Sequence, residues 1–299
     1  MVMAENIEIN GNNGGEIFQT SSPEVRNYYN NFRNIMVIDE PEPESRLCVI
    51  YFSSNELYYP NTKAAFDYSV VSRDKYEWLR TKFGGAARHI FVRDIQKQWY
   101  IEGVNSDLCT PELLCNELKS LSDGMKIFAI GSSAGGFAAI LFGSLLNAER
   151  VYAFNAQLNL NLIVKGSTRN IDPLLFKYTQ YPERSKYFLV DNFINNTTKY
   201  FYFQSAKSGF DQEQFKGCKR REELTRIQFI TSNHGFPFLR HDLQYVLSLD
   251  EKGLYEMASK TRHPILFSLH NHGVIKGIYL VIDSVITRIR KKRQEKLNK

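Results

Sequence analysis

Apolar runs of strand length alternate with helix-like stretches from about residue 46 onward. The expected strands are Leu47–Phe52, His89–Val92, Met125–Ile130, Val151–Asn155, Tyr200–Gln204 and Ile227–Thr231. Several are apolar at nearly every position, the pattern of strands covered on both faces. Helical patterns lie between them. Thr110 before Pro111 is a cap followed by proline at the first helical position. A second helix starts near Ala134 and a third follows Pro237. This alternation predicts an α/β fold with a mostly parallel sheet and helices on both faces.

The rhythm changes in three places. In residues 1–45, Ile7-Glu8-Ile9-Asn10-Gly11 and Glu16-Ile17-Phe18-Gln19 alternate around a Gly/Asn-rich turn, which predicts an antiparallel β-hairpin. Phe32–Ile38 reads as a further early strand. Residues 157–198 are rich in Asn, Tyr, Lys and Pro and read as a cap insertion over the sheet. From Val274, apolar residues recur at 274, 275, 278, 281, 282, 285, 286 and 289, one stripe of a helix. The expected organisation is therefore a hairpin extension over 1–45, an α/β domain over 46–260 with its insertion at about 157–198, and a basic amphipathic helix over 261–299.

Composition narrows the class. With 43% hydrophobic and 23% charged residues, the 299-residue chain reads as a folded globule, not a disordered or low-complexity one. No apolar run approaches the roughly 20 residues a membrane-spanning helix needs. Met1–Asn10 carries Glu5 and Glu8 and no apolar core, so no secretory signal is expected. Cys48, Cys109, Cys115 and Cys218 show no CxxC pair and read as thiols of a reducing compartment. The expected location is cytoplasmic, with the inner membrane face as a surface for peripheral contact.

The net charge of +6 is uneven. The first 45 residues are acidic. The bases Arg288, Arg290, Lys291, Lys292, Arg293, Lys296 and Lys299 crowd the C-terminus against Glu295 alone. The nearly neutral middle argues against a nucleic-acid face. For the C-terminal helix two readings stand: its stripe packs on the domain or a second subunit, or residues 274–299 lie on an anionic membrane.

The strongest chemical signal is Gly131-Ser132-Ser133-Ala134-Gly135-Gly136. A G-x-S-x-G match arises by chance about 0.1 times in a chain of this length. The context is more selective, because the apolar run 126–130 leads in and a helix-prone run leads out. Strand, sharp turn and helix are what a nucleophile elbow requires. Ser133 is the candidate nucleophile, and the Ala134 N–H a candidate oxyanion donor. A serine hydroxyl needs a base. His234 follows the last apolar run by three residues, in the turn Asn233-His234-Gly235-Phe236-Pro237. His241, His89 and the pair His270 and His272 read as structural, with no metal site implied. The orienting acid is expected after the penultimate strand, where Asp211 stands just before a helix. A helix N-cap is its competing role, and Asp242 and Asp191 are reserves. The order Ser133, Asp211, His234 matches the Ser…Asp…His order of the α/β-hydrolase arrangement. The second oxyanion donor is expected from the loop after Leu47–Phe52, at the backbone N–H of Ser54 or Asn55.

At these residues the chain resembles the α/β-hydrolase superfamily. The block Lys126–Phe154 and the stretch His234–Phe238 look most like hydrolase-like proteins of bacterial capsule and surface-polysaccharide biosynthesis. The resemblance implies a serine esterase or deacylase acting on an acylated carbohydrate, without metal or organic cofactor. An O-acyltransferase with the same triad, or a non-catalytic scaffold in polysaccharide assembly, is the alternative. The His-Gly-Gly-Gly loop of many esterases is absent, with Ser53-Ser54-Asn55 in its place. Tyr178, Tyr181 and Tyr187 read either as a sugar-stacking wall or as ordinary aromatic packing.

Overall fold

Among the described residues the apolar runs become one seven-stranded sheet, ordered Ile35–Asp39, Arg88–Val92, Leu47–Phe52, Lys126–Ser132, Arg150–Phe154, Lys199–Ser205, Leu224–Phe229. A computed structural model of the chain describes residues 20–41, 43 and 45–297. Its strands are β1 (Ile35–Asp39), β2 (Leu47–Phe52), β3 (Arg88–Val92), β4 (Lys126–Ser132), β5 (Arg150–Phe154), β6 (Lys199–Ser205) and β7 (Leu224–Phe229). β1 pairs antiparallel with β3, and all other pairings are parallel.

Side chains alternate between the two faces with period two. Cys48, Ile50 and Phe52 of β2, Ala129 of β4, Val151 and Ala153 of β5 and Tyr202 of β6 enter one core. Their neighbours Val49, Tyr51, Phe128, Ile130, Tyr152, Phe154 and Phe203 enter another. Helices Pro111–Leu121 and Ala134–Leu145 cover the first face; Leu243–Ser248, Glu251–Ala258 and Pro264–His272 cover the second. Burial on both sides is why these strands lack polar alternation. Each fully buried Phe, Leu, Ile or Val contributes about 1.5–3 kcal/mol.

The expected organisation is adjusted at several points. The hairpin Ile7–Gln19 lies outside the described residues. The described part of the extension joins the domain. β1 adds an edge strand, and the Pro23–Asn31 helix buries Val25, Tyr28 and Tyr29 against Leu57, Tyr58 and Phe66. At the other end the domain runs past 260, because Phe267 packs its ring against Phe229 at 5.2 Å. The insertion forms helices Leu160–Gly166, Pro173–Tyr178 and Pro182–Ser185. Its residues Leu160, Leu174, Leu175, Phe188 and Val190 are buried in the first core. Tyr178 and Tyr187 are interior, which is the packing role; Tyr181 remains 44% exposed.

Candidate active site

Because β2 to β7 run parallel, their carboxyl ends open at one edge of the sheet, where ligand sites of open α/β sheets form. The loops after β4, β6 and β7 bring Ser133, Asp211 and His234 there.

Ser133 sits at φ 55°, ψ −119°, between the end of β4 and the Ala134–Leu145 helix. Such a non-glycine conformation costs about 1–3 kcal/mol and persists only where surroundings impose it. Two glycines make the turn fit. A Cβ at 131 would lie 1.9 Å from the Gly135 carbonyl oxygen, and one at 135 would lie 2.2 Å from that of Phe52. The Ser133 N–H donates to the Phe154 carbonyl at 2.9 Å, tying the turn to β5. The Ala134 N–H opens the helix and has no intrahelical acceptor. It stands at the helix end that favours negative charge.

The three side chains form a continuous chain. Ser133 Oγ lies 2.8 Å from His234 Nε2, and His234 Nδ1 lies 2.7 Å from Asp211 Oδ1. The Asp211 carboxylate is fully buried, while the imidazole is 40% exposed. The competing capping role belongs elsewhere. Ser208 caps the Gly209–Lys216 helix by accepting the Asp211 N–H, so the Asp211 carboxylate is left to the imidazole. The Gln204 side-chain amide donates to the Asp211 carbonyl at 2.9 Å, fixing the residue to β6. The Phe210 ring meets the His234 ring edge to face at 5.5 Å.

Strand spacing poses a problem for the histidine. β7 is three strands from β4, about 14 Å, so the loop after β7 must reach back along the sheet edge. Asn155, immediately after the intervening β5, holds it. Its side-chain NH2 lies 3.3 Å from the Asn233 carbonyl and 2.9 Å from that of Gly235, the two residues flanking His234. The same group donates to Ser205 Oγ at 2.9 Å, and Asn155 Oδ1 accepts the Ser205 N–H at 2.8 Å. Asn155 is fully buried and sits at φ 41°, a region Asn tolerates better than most residues. Sequence reading placed Asn155 only as a strand end. The available signal was a lone amide closing the apolar run Val151-Tyr152-Ala153-Phe154.

The loop after β2 differs from expectation in its amides. Ser53 N–H donates to the Val92 carbonyl at 3.0 Å. Ser54 N–H donates to Glu77 Oε2 at 2.8 Å, and the Ser54 hydroxyl bonds Glu77 Oε1 at 3.2 Å. With its N–H committed to a carboxylate, Ser54 is a poor oxyanion donor; Asn55, heading the short turn Asn55–Leu57, is the remaining candidate there. Burial raises the Glu77 carboxyl above the usual range, against the pull of the Ser54 N–H. No sequence pattern linked Glu77 to this loop. Trp78 donates its indole N–H to the Phe52 carbonyl at 3.1 Å and packs on Phe236 at 5.4 Å, so the same segment supports the loop carrying His234.

The segment after β3 is held under strain beside these loops. Trp99 and Tyr100 have φ of 53° and 60°. Asp94 accepts the N–H groups of Gln96, Gln98 and Tyr100 at 2.7–3.0 Å. Burial nevertheless raises its carboxyl to about 6. Tyr100 donates to the Ser53 carbonyl at 2.9 Å, and Trp99 bonds Gln157.

The reserves and remaining histidines sit elsewhere. Asp191 accepts the Cys218 thiol and the Arg220 N–H. Asp242 lies 3.1 Å from His272. His89 is buried against Tyr51, and burial lowers its pKa. His241 pairs with Asp283.

No family model and no curated protein matches the chain. Among solved structures, the capsule O-acetyltransferase of Neisseria meningitidis serogroup A is 12% identical and covers 66% of this chain and 82% of its own, with a TM-score of 0.47. A protein of unknown function from Staphylococcus aureus subsp. aureus Mu50 is 11% identical over 75% of this chain and 94% of its own, with a TM-score of 0.45. An S-formylglutathione hydrolase from Agrobacterium tumefaciens is 13% identical over 75% and 90%, with a TM-score of 0.41. At scores below 0.5 the fold assignment rests on the chain's own topology. A mostly parallel sheet, a strained serine turn after β4, and acid and histidine loops after β6 and β7 make this an α/β-hydrolase-type fold.

Proposed function

We propose that the protein is a serine hydrolase of ester bonds, with an acylated carbohydrate of surface-polysaccharide metabolism as its substrate. The observation that carries the reaction class is the unbroken chain Ser133 Oγ–His234–Asp211, with links of 2.8 and 2.7 Å. Ser133 Oγ attacks the acyl carbon. His234 Nε2 takes the hydroxyl proton and returns it to the leaving alcohol. Asp211 holds the ring with Nδ1 protonated and stabilises the imidazolium. The Ala134 N–H receives the oxyanion, with Asn55 as the second donor; a single such donor is worth about 10²–10³-fold in rate. Water then attacks the acyl-enzyme, with His234 as base.

Hydrolysis is favoured over acyl transfer because the imidazole is 40% exposed. Transfer to a sugar hydroxyl needs water kept from the acyl-enzyme. The carbohydrate substrate follows from the resemblance of residues 126–154 and 234–238 to capsule-associated hydrolases. The test is labelling by a fluorophosphonate probe, followed by acetate release from O-acetylated saccharides. Wild type labels and Ser133→Ala does not. Absence of wild-type labelling, or labelling that survives Ser133→Ala, overturns the enzyme reading and leaves the scaffold role.

A further inference from the structure

We propose that the Val274–Leu297 helix docks this protein onto an anionic lipid surface. The inference is independent of the reaction at Ser133. The helix follows Gly273 and touches the domain along a narrow line. A Cβ at Gly277 would lie 2.8 Å from Leu269 Cα, so the two helices are in close contact there. His241 pairs with Asp283 at 3.2 Å. At 3.6 residues per turn, Leu280 and Ser284 fall on the side of Gly277. Val274, Ile275, Ile278, Ile282 and Ile286 occupy a different arc, about 120° wide. These five are 65%, 89%, 49%, 52% and 41% exposed. These five positions of the apolar stripe are therefore not spent on the domain.

Charge identifies what covers it. Residues 288–299 hold Arg288, Arg290, Lys291, Lys292, Arg293, Lys296 and Lys299 against Glu295, and the helix backbone continues through Leu297. An exposed apolar arc continued by a cationic end is what an anionic bilayer recognises. The apolar side chains enter the acyl boundary, and ammonium and guanidinium groups meet lipid phosphates. Among the described residues no helix is long and apolar enough to cross a membrane, so the contact is in-plane. A second copy fits less well. Positions 275, 278, 282, 285 and 289 keep three–four spacing over about two heptads, short of the three or four a coiled coil needs. A parallel pair would also set two basic ends side by side.

The test is flotation of the full chain with phosphatidylcholine vesicles with and without phosphatidylserine, alongside light scattering of the free protein. Binding is expected only with phosphatidylserine and is lost in high salt. Ile275→Glu with Ile278→Glu, and separately Lys291→Glu with Lys292→Glu, each lower the bound fraction at least about tenfold with circular dichroism unchanged. Equal flotation of wild type and both variants overturns the proposal, as does no flotation of wild type. So does a wild-type dimer that Ile275→Glu with Ile278→Glu dissolves, which would assign the stripe to a second copy.

Discussion

Asn155→Asp replaces one NH2 by oxygen and keeps the side chain's shape. Aspartate also tolerates the φ of 41° at this position, so the backbone is not the variable. The donor that faces Asn233 O at 3.3 Å, Gly235 O at 2.9 Å and Ser205 Oγ at 2.9 Å becomes an acceptor facing carbonyl oxygens. Two bonds that restrain the His234 loop are lost, at about 1 kcal/mol each. A buried carboxylate that keeps the Ser205 N–H as donor to one oxygen while the other faces carbonyl oxygens adds to that cost, so a stability loss of about 2–4 kcal/mol is expected by urea denaturation. The kinetic effect is larger than the bond count suggests. Displacing a reacting group by about 1 Å costs about 10²-fold, and His234 Nε2 now sits 2.8 Å from Ser133 Oγ. The ester kcat/KM and the fluorophosphonate labelling rate should both fall about 10²-fold at a temperature where the variant is folded. A merely structural role lowers stability and leaves these rates unchanged. A folded Asn155→Asp variant within twofold of wild type in both rates would refute the assignment.

Other outcomes follow from the same geometry. Gly131→Ala should destabilise by about 1–3 kcal/mol or more and abolish labelling, because its Cβ would meet the Gly135 carbonyl oxygen at 1.9 Å; labelling rates compared with urea melts check it. Phe210→Ala removes the ring that meets His234 at 5.5 Å and should slow labelling about two- to tenfold. Asp94 sets a pH dependence of stability. Its folded pKa of about 6 lies above the unfolded value near 4, so the folded state holds the extra proton between about pH 4 and 6. Its contribution therefore falls as pH rises through that window, by about 3 kcal/mol, and denaturation of wild type against Asp94→Asn from pH 4 to 7 should trace that slope.

Much of this site was legible because its chemistry coincides with strong local patterns. A G-x-S-x-G between an apolar strand and a helix-prone run leaves few alternatives to the turn at Ser133. The Asp211 and His234 positions followed from strand order. An acid before a helix suits both a cap and a relay; the cap is Ser208, and the Asp211 carboxylate lies 2.7 Å from His234 Nδ1. Long-range pairings carry no local signature. Glu77 reaches Ser54 across 23 residues, and Asn155 reaches Gly235 across 80. The spacing of apolar positions in Val274–Leu297 gave the stripe but not its partner, because amphipathicity is the same whether the face meets protein or lipid. Tyr178 and Tyr187 were ambiguous for a related reason, as an aromatic run reads alike inside a core and on a binding wall.

The most direct measurement is the mass of the chain, quenched in acid during turnover of an acetyl ester and mapped by proteolysis. An acetyl group is expected on the peptide carrying Ser133 in wild type, absent in Ser133→Ala and formed more slowly in His234→Ala. Ester turnover with no adduct, or with the acetyl group on another residue, would contradict nucleophilic attack by Ser133.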